Sequence, residues 1–583
     1  MANKAVFGLT QRGQAVTPAD TKNSAGGLAY SMTAEHALAQ LACTGTFNDT
    51  FYGKAVDQLE GIRKAADQCS PEYVAKCAVY AREKGYMKDM PAALAVMLSK
   101  SDPVLLDKIF DRVIDNGKQL RNFVQFIRSG AFGRKSLGSG PKRLIGRWFA
   151  KRSDYAVFRA SVGNAPSLGD IIKLARVSGK AVSPSRRALF GYLIGCHVAA
   201  LGEELEQVTV TEDGKTRRTN RYNAADLPDI VKEYEAWKRG ERVGEVPNVD
   251  FRMLTGLPLT KEDWAEIAKR GAWHQTRMNL NTYTRQGVFE ITGMESVIAG
   301  KLNDADAIRK ARVFPYQLLA AFLNTGPDRP AVFGGYYNRI AYGRQPVAKP
   351  QADVPQRVRL ALQDALEIAV ENVPTFEGRV AVVVDTSGSM KQPVTGVRQG
   401  ATSKVTCVDV AALIGATVMR KNALAVVIPV DTQVHPTTFI NPRDSIMTNA
   451  ASLAKLGGGG TDLGAAMRYI ETSKVGPDLI IMVSDNESWV GDASRPYHRG
   501  TETLAVFRRL KARNPNLKMV NIDIVANTTS QTPCKDEPSI LNIGGFSDQV
   551  WNTIARFVSG DGPTEWVAEI NAVILEQPKA VEA

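Results

Sequence analysis

Hydroxyl and carboxylate side chains gather in three short segments of the last third of this 583-residue chain: DTSGSM from residue 385, GGGGTD from residue 457 and SDNE from residue 484. Hard divalent cations such as Mg2+ prefer oxygen ligands in near-octahedral geometry. Three neutral hydroxyls and two carboxylates supply such a set and leave one coordination position open. We therefore predict a site for a divalent cation, with Mg2+ expected, whose ligands are Asp385, Ser387, Ser389, Thr461 and Asp485.

The elements around these segments are typical of an α/β domain. Four β-branched apolar runs, GRVAVVVD, ALAVVIPV, DLIIMVS and KMVNIDIV, begin at residues 378, 423, 478 and 518, and helical segments lie between them. Such runs suit buried parallel strands, and an open α/β sheet places its ligand site at the carboxyl ends of its strands. Each segment alone has a simpler explanation, as a helix cap, a turn or a solvated aspartate. Their combination favours the cation site.

A second chemical feature is positive charge in the first part of the chain. The whole sequence has a net charge of +13, yet residues 351–583 hold 22 basic against 25 acidic residues. Residues 101–200 alone hold 18 basic against 6 acidic residues. Such an excess is expected of a surface that meets a polyanion. The alternative is a solvated basic face that serves solubility.

Residues from about 33 to 324 show the pattern of a helical protein. Capping residues, prolines and terminal glycines bound predicted helices over 70–85, 102–117, 167–179 and 260–271. We expect stacked helix pairs of the HEAT-repeat type, interrupted by an exposed excursion over 203–250. A proline-marked linker at 347–356, followed by a helix at 357–370, divides the chain into a helical domain (1–350) and an α/β domain (351–583).

Other classes are excluded by composition. Residues 1–20 lack the apolar core of a signal peptide, and no run of about 18 apolar residues could span a membrane, so we expect a soluble cytoplasmic protein. The six cysteines form no CxxC pair, which favours free and mostly buried thiols. The five histidines have no ligand spacing, and His197 and His274 are expected in the core.

A basic helical part followed by this α/β domain resembles the Ro60 autoantigen family, whose helical part is called the TROVE module. The helical part carries the resemblance in ALAQLACTGTFNDTFYG (37–53), PAALAVMLSK (91–100) and NFVQFIRSGAFGRKSLGSGPKRLIGRWF (122–149). The second domain carries it in DTSGSM, GGTDLG and SDNESW. These segments resemble the metal-ion-dependent adhesion site of von Willebrand factor type A domains, where a partner's carboxylate completes the cation's shell. The resemblance extends over nearly the whole chain.

The resemblance implies a ring of HEAT-like helical repeats closed by a doubly wound type A domain. Members of this family bind the 3′ ends of misfolded noncoding RNAs in the central hole and structured Y RNAs on the outer surface. Bacterial members act with exoribonucleases such as polynucleotide phosphorylase. The resemblance therefore implies an RNA-binding scaffold without catalysis, present as a monomer in a ribonucleoprotein.

The basic tract supports RNA as the ligand, because cations meet phosphates while aromatic faces stack unpaired bases. Phe126, Phe132, Trp148 and Phe149 lie in this tract, and we favour the helix core over stacking for all of them except Phe132. Glycines between 130 and 140 allow close backbone approach. Arg217, Arg218 and Arg221 are interpreted as part of a soluble loop. The predicted RNA-binding residues are Lys118, Arg121, Arg128, Arg134, Lys135, Lys142, Arg143, Arg147, Lys151, Arg152, Arg159, Lys173 and Arg176.

The competing hypothesis is a metal-dependent protein-interaction adaptor, in which the cation captures a carboxylate of a partner and RNA is not the main ligand. An enzyme is disfavoured because no paired acid and base and no nucleophile with its base accompany the cation site. The GGGGTD segment also lacks the lysine of a phosphate-binding P-loop.

Overall fold

The computed structural model describes residues 17–177, 183–199, 208–212, 215–219, 221–242, 244–311, 313, 315–326, 353–397, 403–473, 475–490, 500–562 and 565–576. The chain forms two compact units. The first unit comprises residues 1–73, 84–87 and 268–573, and the second comprises 74–83, 88–267 and 574–583. Most of the predicted linker at 347–356 lies outside the described residues, so the domain boundary at residue 350 stays a prediction.

Helices dominate residues 34–324, as the sequence predicts. Helix α5 begins where the Asp102 side chain accepts hydrogen bonds from the amides of Val104 and Leu105. The helices are α1 (Ala34–Thr44), α2 (Ala55–Asp67), α3 (Pro71–Glu83), α4 (Met90–Ser101), α5 (Pro103–Val113), α6 (Gly117–Arg128), α7 (Ser139–Ala150), α8 (Asp154–Arg159), α9 (Leu168–Ala175), α10 (Pro184–Ile194), α11 (Asp229–Lys238), α12 (Phe251–Leu254), α13 (Lys261–Arg270), α14 (Trp273–Met278), α15 (Leu280–Arg285), α16 (Met294–Leu302), α17 (Ala305–Lys310) and α18 (Pro315–Asn324).

Helix ends were predicted less well than helix starts. The start of the helix predicted from residue 167 is well defined, because Ser167 and Asp170 exchange hydrogen bonds in a capping box before α9. The prediction that Gly117 ends the helix over 102–117 is wrong. Helix α5 ends at Val113, and Gly117 begins α6 because the side chain of Asn116 caps the next amides.

The helical part also contains strands, which the expected excursion over 203–250 did not specify. Strands β4 (Val208–Glu212) and β5 (Lys215–Thr219) pair antiparallel, while β3 (His197–Ala199) pairs parallel with β6 (Arg221–Asn223). Alternating valine and threonine residues explain β4. The excursion moreover contains α11, whose Trp237 is buried. The side chains of His197, Arg217, Arg218 and Arg221 lie outside the described residues.

The first unit contains a five-stranded parallel sheet with the strand order β12-β10-β9-β7-β8. Four of its strands match the predicted runs, whereas β12 was not predicted. The sheet strands are β7 (Val380–Asp385), β8 (Val426–Val430), β9 (Leu479–Ser484), β10 (Lys518–Asp523) and β12 (Ile540–Gly544). The accompanying helices are α19 (Gln356–Ala369), α20 (Cys407–Lys421), α21 (Ile446–Leu453), α22 (Leu463–Thr472), α23 (Glu502–Arg513), α24 (Asp548–Ser559) and α25 (Trp566–Asn571).

Helices cover both faces of this sheet, which confirms the doubly wound α/β prediction. On one face, Val383 and Met482 pack in a buried cluster with residues of α22 and α23. On the other face, α20 lies so close that a β-carbon at Gly415 would be 2.8 Å from Val384 Cγ2. Adjacent residues of β7 thus point to opposite faces, as expected of a pleated strand.

The N-terminal residues of the chain join the same unit. Strand β2 (Leu28–Ser31) pairs antiparallel with β1 (Thr21–Lys22) on one side and with β11 (Thr529–Ser530) on the other. Tyr30 of β2 is buried in the core cluster of the parallel sheet. Residues far apart in the sequence therefore complete one core.

The sequence also led to expectations about membrane spans, cysteines and His274. Within the described ranges, no helix is both long and apolar enough to cross a membrane. The six cysteines are free, as predicted, and Cys43, Cys77 and Cys407 are buried. The expectation that His274 is a core residue is wrong: its side chain is exposed because the preceding Trp273 occupies the buried face of α14.

The tight contact at Gly415 yields a stability prediction. Although alanine favours helices over glycine by roughly 1 kcal/mol, Gly415→Ala should lower the free energy of unfolding by about 1–3 kcal/mol because it overpacks Val384. Gly300→Ala in α16, where a β-carbon meets nothing within 4 Å, is the matched control and should be neutral or stabilising. Urea denaturation followed by circular dichroism checks both variants. A Gly415→Ala protein as stable as the control would contradict this packing.

Candidate metal centre and basic surface

The predicted cation ligands meet at the switch point of the parallel sheet. The chain passes from β7 to β8 on one side and later returns to β9 on the other side of β7. At such a reversal the connections leave in opposite directions and open a crevice beyond the carboxyl ends of the strands. Asp385 is the last residue of β7 and Asp485 follows β9 directly. The topology thus places both carboxylates beside one crevice.

Hydrogen bonds hold the DTSGSM segment in place. The carboxylate of Asp385 accepts hydrogen bonds from the Ser387 amide at 2.9 Å and from the Ser484 hydroxyl at 2.6 Å. The hydroxyl oxygens of Ser387 and Ser389 lie 3.2 Å apart. The five predicted ligand residues are all at most 4% exposed. The side chains are therefore fixed before any ligand arrives.

The glycine-rich segment is tied to both other segments. The amide of Gly388 donates to the carbonyl of Gly459 at 2.9 Å, and the amide of Trp489 donates to the carbonyl of Thr461 at 3.0 Å. Gly457 has φ +67°, and a β-carbon there would lie 2.5 Å from the carbonyl oxygen of Thr386. Only glycine fits this close approach. The loop thereby brings Thr461 to the edge where the two aspartates lie.

The electrostatics of the crevice are those of a site lacking positive charge. Burial raises the pKa of Asp485 well above its usual range, and the nearby charge of Asp385 raises it further. Oxygen Oδ2 of Asp485 is buried and has no hydrogen-bond partner among the described residues. Because an uncompensated buried carboxylate is costly, these residues fit a hard cation.

The composition of the donor set also fits. The described part of the chain contains no group of three or more His, Cys, Asp and Glu side chains arranged to hold a metal ion. A soft-metal or zinc centre is therefore not indicated at this crevice, where hydroxyls and two carboxylates are the available donors. Such a set matches Mg2+ chemistry.

Sequence reasoning missed Tyr52 as a site residue. The amide of Phe51 donates to Gln392 Oε1 at 2.8 Å, next to the first metal-site segment. Burial raises the pKa of Tyr52, and the nearby charges of Asp485, Glu487 and Asp385 raise it further, while the Ser389 side chain opposes this rise. Tyr52 lies in the 37–53 segment that carried the resemblance, but nothing local in that segment points to the cation site.

The N-terminal residues contact the third segment as well. The amide of Ala25 donates to Glu487 Oε2 at 3.2 Å, and Asn23 Nδ2 donates to the carbonyl of Ser488 at 2.7 Å. Burial raises the pKa of Glu487, while the hydrogen bonds from residues 24 and 25 oppose this rise. Asn23, Ala25 and the Phe51–Tyr52 pair therefore lie beside the crevice.

The second unit contains the predicted RNA-binding residues. Six of them are engaged within the protein: Arg121, Arg134, Arg143, Arg147, Lys151 and Arg152. Arg143 and Arg147 form ion pairs with Asp107 of α5. Lys151 and Arg147 pair with Asp111. Arg152 donates to the carbonyl of Asp115 and stacks over the ring of Trp148 at 3.8 Å. The charge of these residues is partly neutralised by neighbouring acids.

The remaining cations of the tract present their charge to solvent. All of these side chains are exposed except that of Lys142, which is half-buried, and none forms an ion pair with another described residue. They lie on or next to α6, α7, α8 and α9. The residues are Lys118, Arg128, Lys135, Lys142, Arg159, Lys173 and Arg176.

Arg134 has a structural role that its sequence context did not reveal. Its guanidinium donates to the carbonyls of Ser99 and Ser136 at 2.8 Å each and to that of Leu137 at 2.5 Å. The aromatic side chains of the tract are also structural: Phe132, Trp148 and Phe149 are buried and Phe126 is partly buried. The described aromatic residues of this tract therefore pack and do not form a stacking platform.

The doubly wound sheet and the crevice with its DTSGSM segment define a von Willebrand factor type A domain. A family model described as the Ro60 vWA domain matches residues 379–558. "RNA-binding protein RO60" of Deinococcus radiodurans is 21% identical to this chain over 569 residues, covering 93% of this chain and 95% of that protein. The crystal structure of the D. radiodurans Ro (Rsr) protein matches with a TM-score of 0.57 at 16% identity, covering 91% of this chain and 100% of that one. The resemblance to the Ro60 family, in its bacterial form, is confirmed.

The hydrogen bonds of Arg134 predict that this residue matters for stability. Arg134→Ala should lower the free energy of unfolding by roughly 2 kcal/mol, because three carbonyls lose a charged donor. Lys135→Ala removes the same charge from the neighbouring exposed position and should change stability by less than about 0.5 kcal/mol. Thermal and urea denaturation of both variants check this difference. Equal stabilities would show that the loop does not depend on Arg134.

Proposed function

We propose that this chain is an RNA-binding scaffold whose second unit supplies the RNA-binding surface. The observation that carries the proposal is the set of exposed, unpaired cations on and around α6 to α9. Phosphate contacts by lysine and arginine supply most of the affinity of proteins for nucleic acids. The D. radiodurans relative, which aligns over nearly the whole chain, carries the name RNA-binding protein.

The finer parts of the proposal follow the family resemblance. We propose that the chain binds Y-like structured RNA and the single-stranded 3′ ends of misfolded noncoding RNA in a helical ring. It acts without catalysis, as a monomer in a cytoplasmic ribonucleoprotein, and cooperates with an exoribonuclease such as polynucleotide phosphorylase. The support for these parts is the resemblance and the basic surface together.

Removal of the unpaired cations should weaken RNA binding in a salt-dependent manner. A variant with Arg128, Lys135, Lys142 and Lys173 replaced by alanine should bind a structured RNA with a 3′ tail about tenfold or more weakly at low salt. Its plot of log affinity against log salt should be shallower by about 3, since each single-strand phosphate contact contributes about 0.7. Filter binding across a salt series measures both quantities.

A matched variant controls for net charge. Arg63, Lys64, Lys455 and Lys535 are exposed residues of the first unit, and their replacement by alanine removes the same four charges. This control should retain nearly all of the affinity and the salt slope. If both variants lose affinity equally, or if binding does not depend on salt, the second unit is not the RNA-binding surface.

We further propose that Asp385, Ser387, Ser389, Thr461 and Asp485 hold Mg2+ in the type A domain. When bound, the cation supplies the positive charge that the buried carboxylates lack. Asp385 and Asp485 neutralise the ion directly or through water, and the hydroxyls orient towards it. The burial of the five residues and the contact of Tyr52 with Ser389 support a cation that fastens the strand ends and the N-terminal segment together.

Metal removal provides the test of this site. Saturating Mg2+ should raise the melting temperature above its value in EDTA, because a ligand at a hundred times its Kd stabilises the folded state by about 2.7 kcal/mol. Asp485→Asn should abolish this rise. In EDTA, Asp485→Asn should melt no lower than the unaltered protein, because the substitution removes a buried, uncompensated charge. Asp561→Asn, at an exposed position, is the control, and an unchanged Mg2+ effect in Asp485→Asn would refute the assignment.

The adaptor hypothesis is the less favoured function. It requires a partner's carboxylate to reach the cation, yet the ligand side chains are at most 4% exposed and Tyr52 lies against Ser389. These observations favour a structural cation over a docking site.

A further inference from the structure

An open cavity of about 400 Å3 lies in the second unit, outside the cation site. The cavity is bounded by the first turn of α6, by α8, and by α12 together with Asp250, which precedes α12. Its walls contain four cations, one acid and one aromatic ring. The charged and aromatic residues of its lining are Lys118, Arg121, Tyr155, Arg159, Asp250 and Arg252.

The charges around this cavity are unbalanced. Asp250 is the only acidic residue among the lining residues, and its carboxylate is engaged by Arg252 Nε at 3.0 Å. Arg121 is only 7% exposed, and its guanidinium donates to the carbonyl of Ala160 at 2.9 Å. Burial lowers the pKa of Arg121, and the like charge of Arg252 lowers it further. Four cations thus face one carboxylate across a shared space.

Two glycines allow this convergence. A β-carbon at Gly117 would lie 2.8 Å from the β-carbon of Ala160, so a larger residue would separate α6 from the end of α8. Gly163 has φ +120°, and a β-carbon there would lie 2.9 Å from Arg121 Nε. The guanidinium of Arg121 therefore packs closely against Gly163, next to α8.

The hydrogen-bond donors available to a ligand in this cavity belong to side chains and not to the N-terminus of α6. The amides of Lys118 and Gln119 are already used by the side chain of Asn116, which caps α6. The guanidinium of Arg159 lies 5.4 Å from the centre of the Tyr155 ring, whose hydroxyl donates to the carbonyl of Asn248 at 2.7 Å. The tyrosine thus holds its ring rigidly beside the cations.

We propose that this cavity binds a phosphomonoester, either the terminal phosphate of an RNA strand or the phosphate of a free nucleoside monophosphate. A terminal phosphate carries a charge of about −1.5 to −2 at pH 7, whereas an internal phosphodiester carries one negative charge. Three net positive charges match the terminal group better. Arginine forks bind phosphate oxygens in pairs, and the cavity volume falls within the range of about 300–1,000 Å3 that small ligands occupy. For the RNA terminus, this inference rests on the proposed RNA-binding function.

The test compares three 10-nucleotide RNAs of one sequence with the full-length protein. One carries a 5′-phosphate, one a 3′-phosphate and one has hydroxyls at both ends, and each has the same internal fluorophore. Fluorescence anisotropy should show that one phosphorylated RNA binds about tenfold or more tightly than the hydroxyl-ended RNA. Arg159→Ala and Arg121→Lys should each remove most of this preference. Arg63→Ala, which removes the same charge from an exposed position of the first unit, should retain it.

Two competition arms identify the source of the phosphate. Adenosine monophosphate and inorganic phosphate are titrated against the preferred RNA. If adenosine monophosphate displaces the RNA at concentrations equal to those of the RNA, the cavity binds a free nucleotide. If displacement is weaker, the cavity binds an RNA terminus. Because Arg159 is exposed, its replacement is a change that the fold tolerates, and circular dichroism verifies this.

The outcomes separate this inference from the proposed function. If the three RNAs bind equally well and their affinity still falls with salt, and adenosine monophosphate does not compete, the phosphomonoester site is refuted while RNA binding stands. If no RNA binds, the proposed function fails. In that case, a rise in melting temperature with adenosine monophosphate that Arg159→Ala abolishes still supports the cavity, and the absence of such a rise refutes it.

Discussion

The first unit depends on one constraint. The like charges of Asp385 and Asp485 are enclosed between the ends of neighbouring strands. Parallel pairing fixes β7 beside β9, so Asp385 and Asp485 must leave the sheet at the same edge. Carboxylates buried this deeply are tolerated only when hydrogen bonds or cations compensate them. The Ser484 hydroxyl and the Ser387 amide compensate Asp385, whereas one buried oxygen of Asp485 has no hydrogen-bond partner in the described part of the chain. The surrounding hydroxyls and the glycine loop can be understood as the other parts of the structure that compensate these buried charges.

A different balance operates in the second unit. Asp107, Asp111 and Asp115 recur every four residues along α5 and beyond it, and the cations of α7 have the same spacing. Charges that pair in this way are largely unavailable to another molecule, although they dominate the composition of the tract. The net charge of a segment therefore overstates the surface that it offers. Apart from Lys142, the cations of the tract that form no ion pair with another described residue lie outside α7.

Much of the first unit was predictable from the sequence because its signals are local. The β-branched runs located β7 to β10, and the polar segments DTSGSM, GGGGTD and SDNE identified the predicted ligands. Strand β12 was missed because ILNIG is short and contains a buried Asn542. Tyr52 and Asn23 were missed for a more general reason: Asn23 bonds a residue 465 positions away, and no periodicity encodes such a contact. Arg134 resembles any surface cation in the sequence, since only the fold brings three carbonyls to it.

The pairing of β2 with β11 has a consequence for how the protein is made. During synthesis, β2 can pair with β1 at once, but the backbone groups on its other edge wait for β11 until almost the entire chain has been translated. Closing so long a loop costs entropy that grows only slowly with length, but the delay exposes an apolar strand whose Tyr30 belongs in a core. Unpaired strand edges are templates for wrong association. One edge of β2 therefore stays open to wrong association until β11 has been translated.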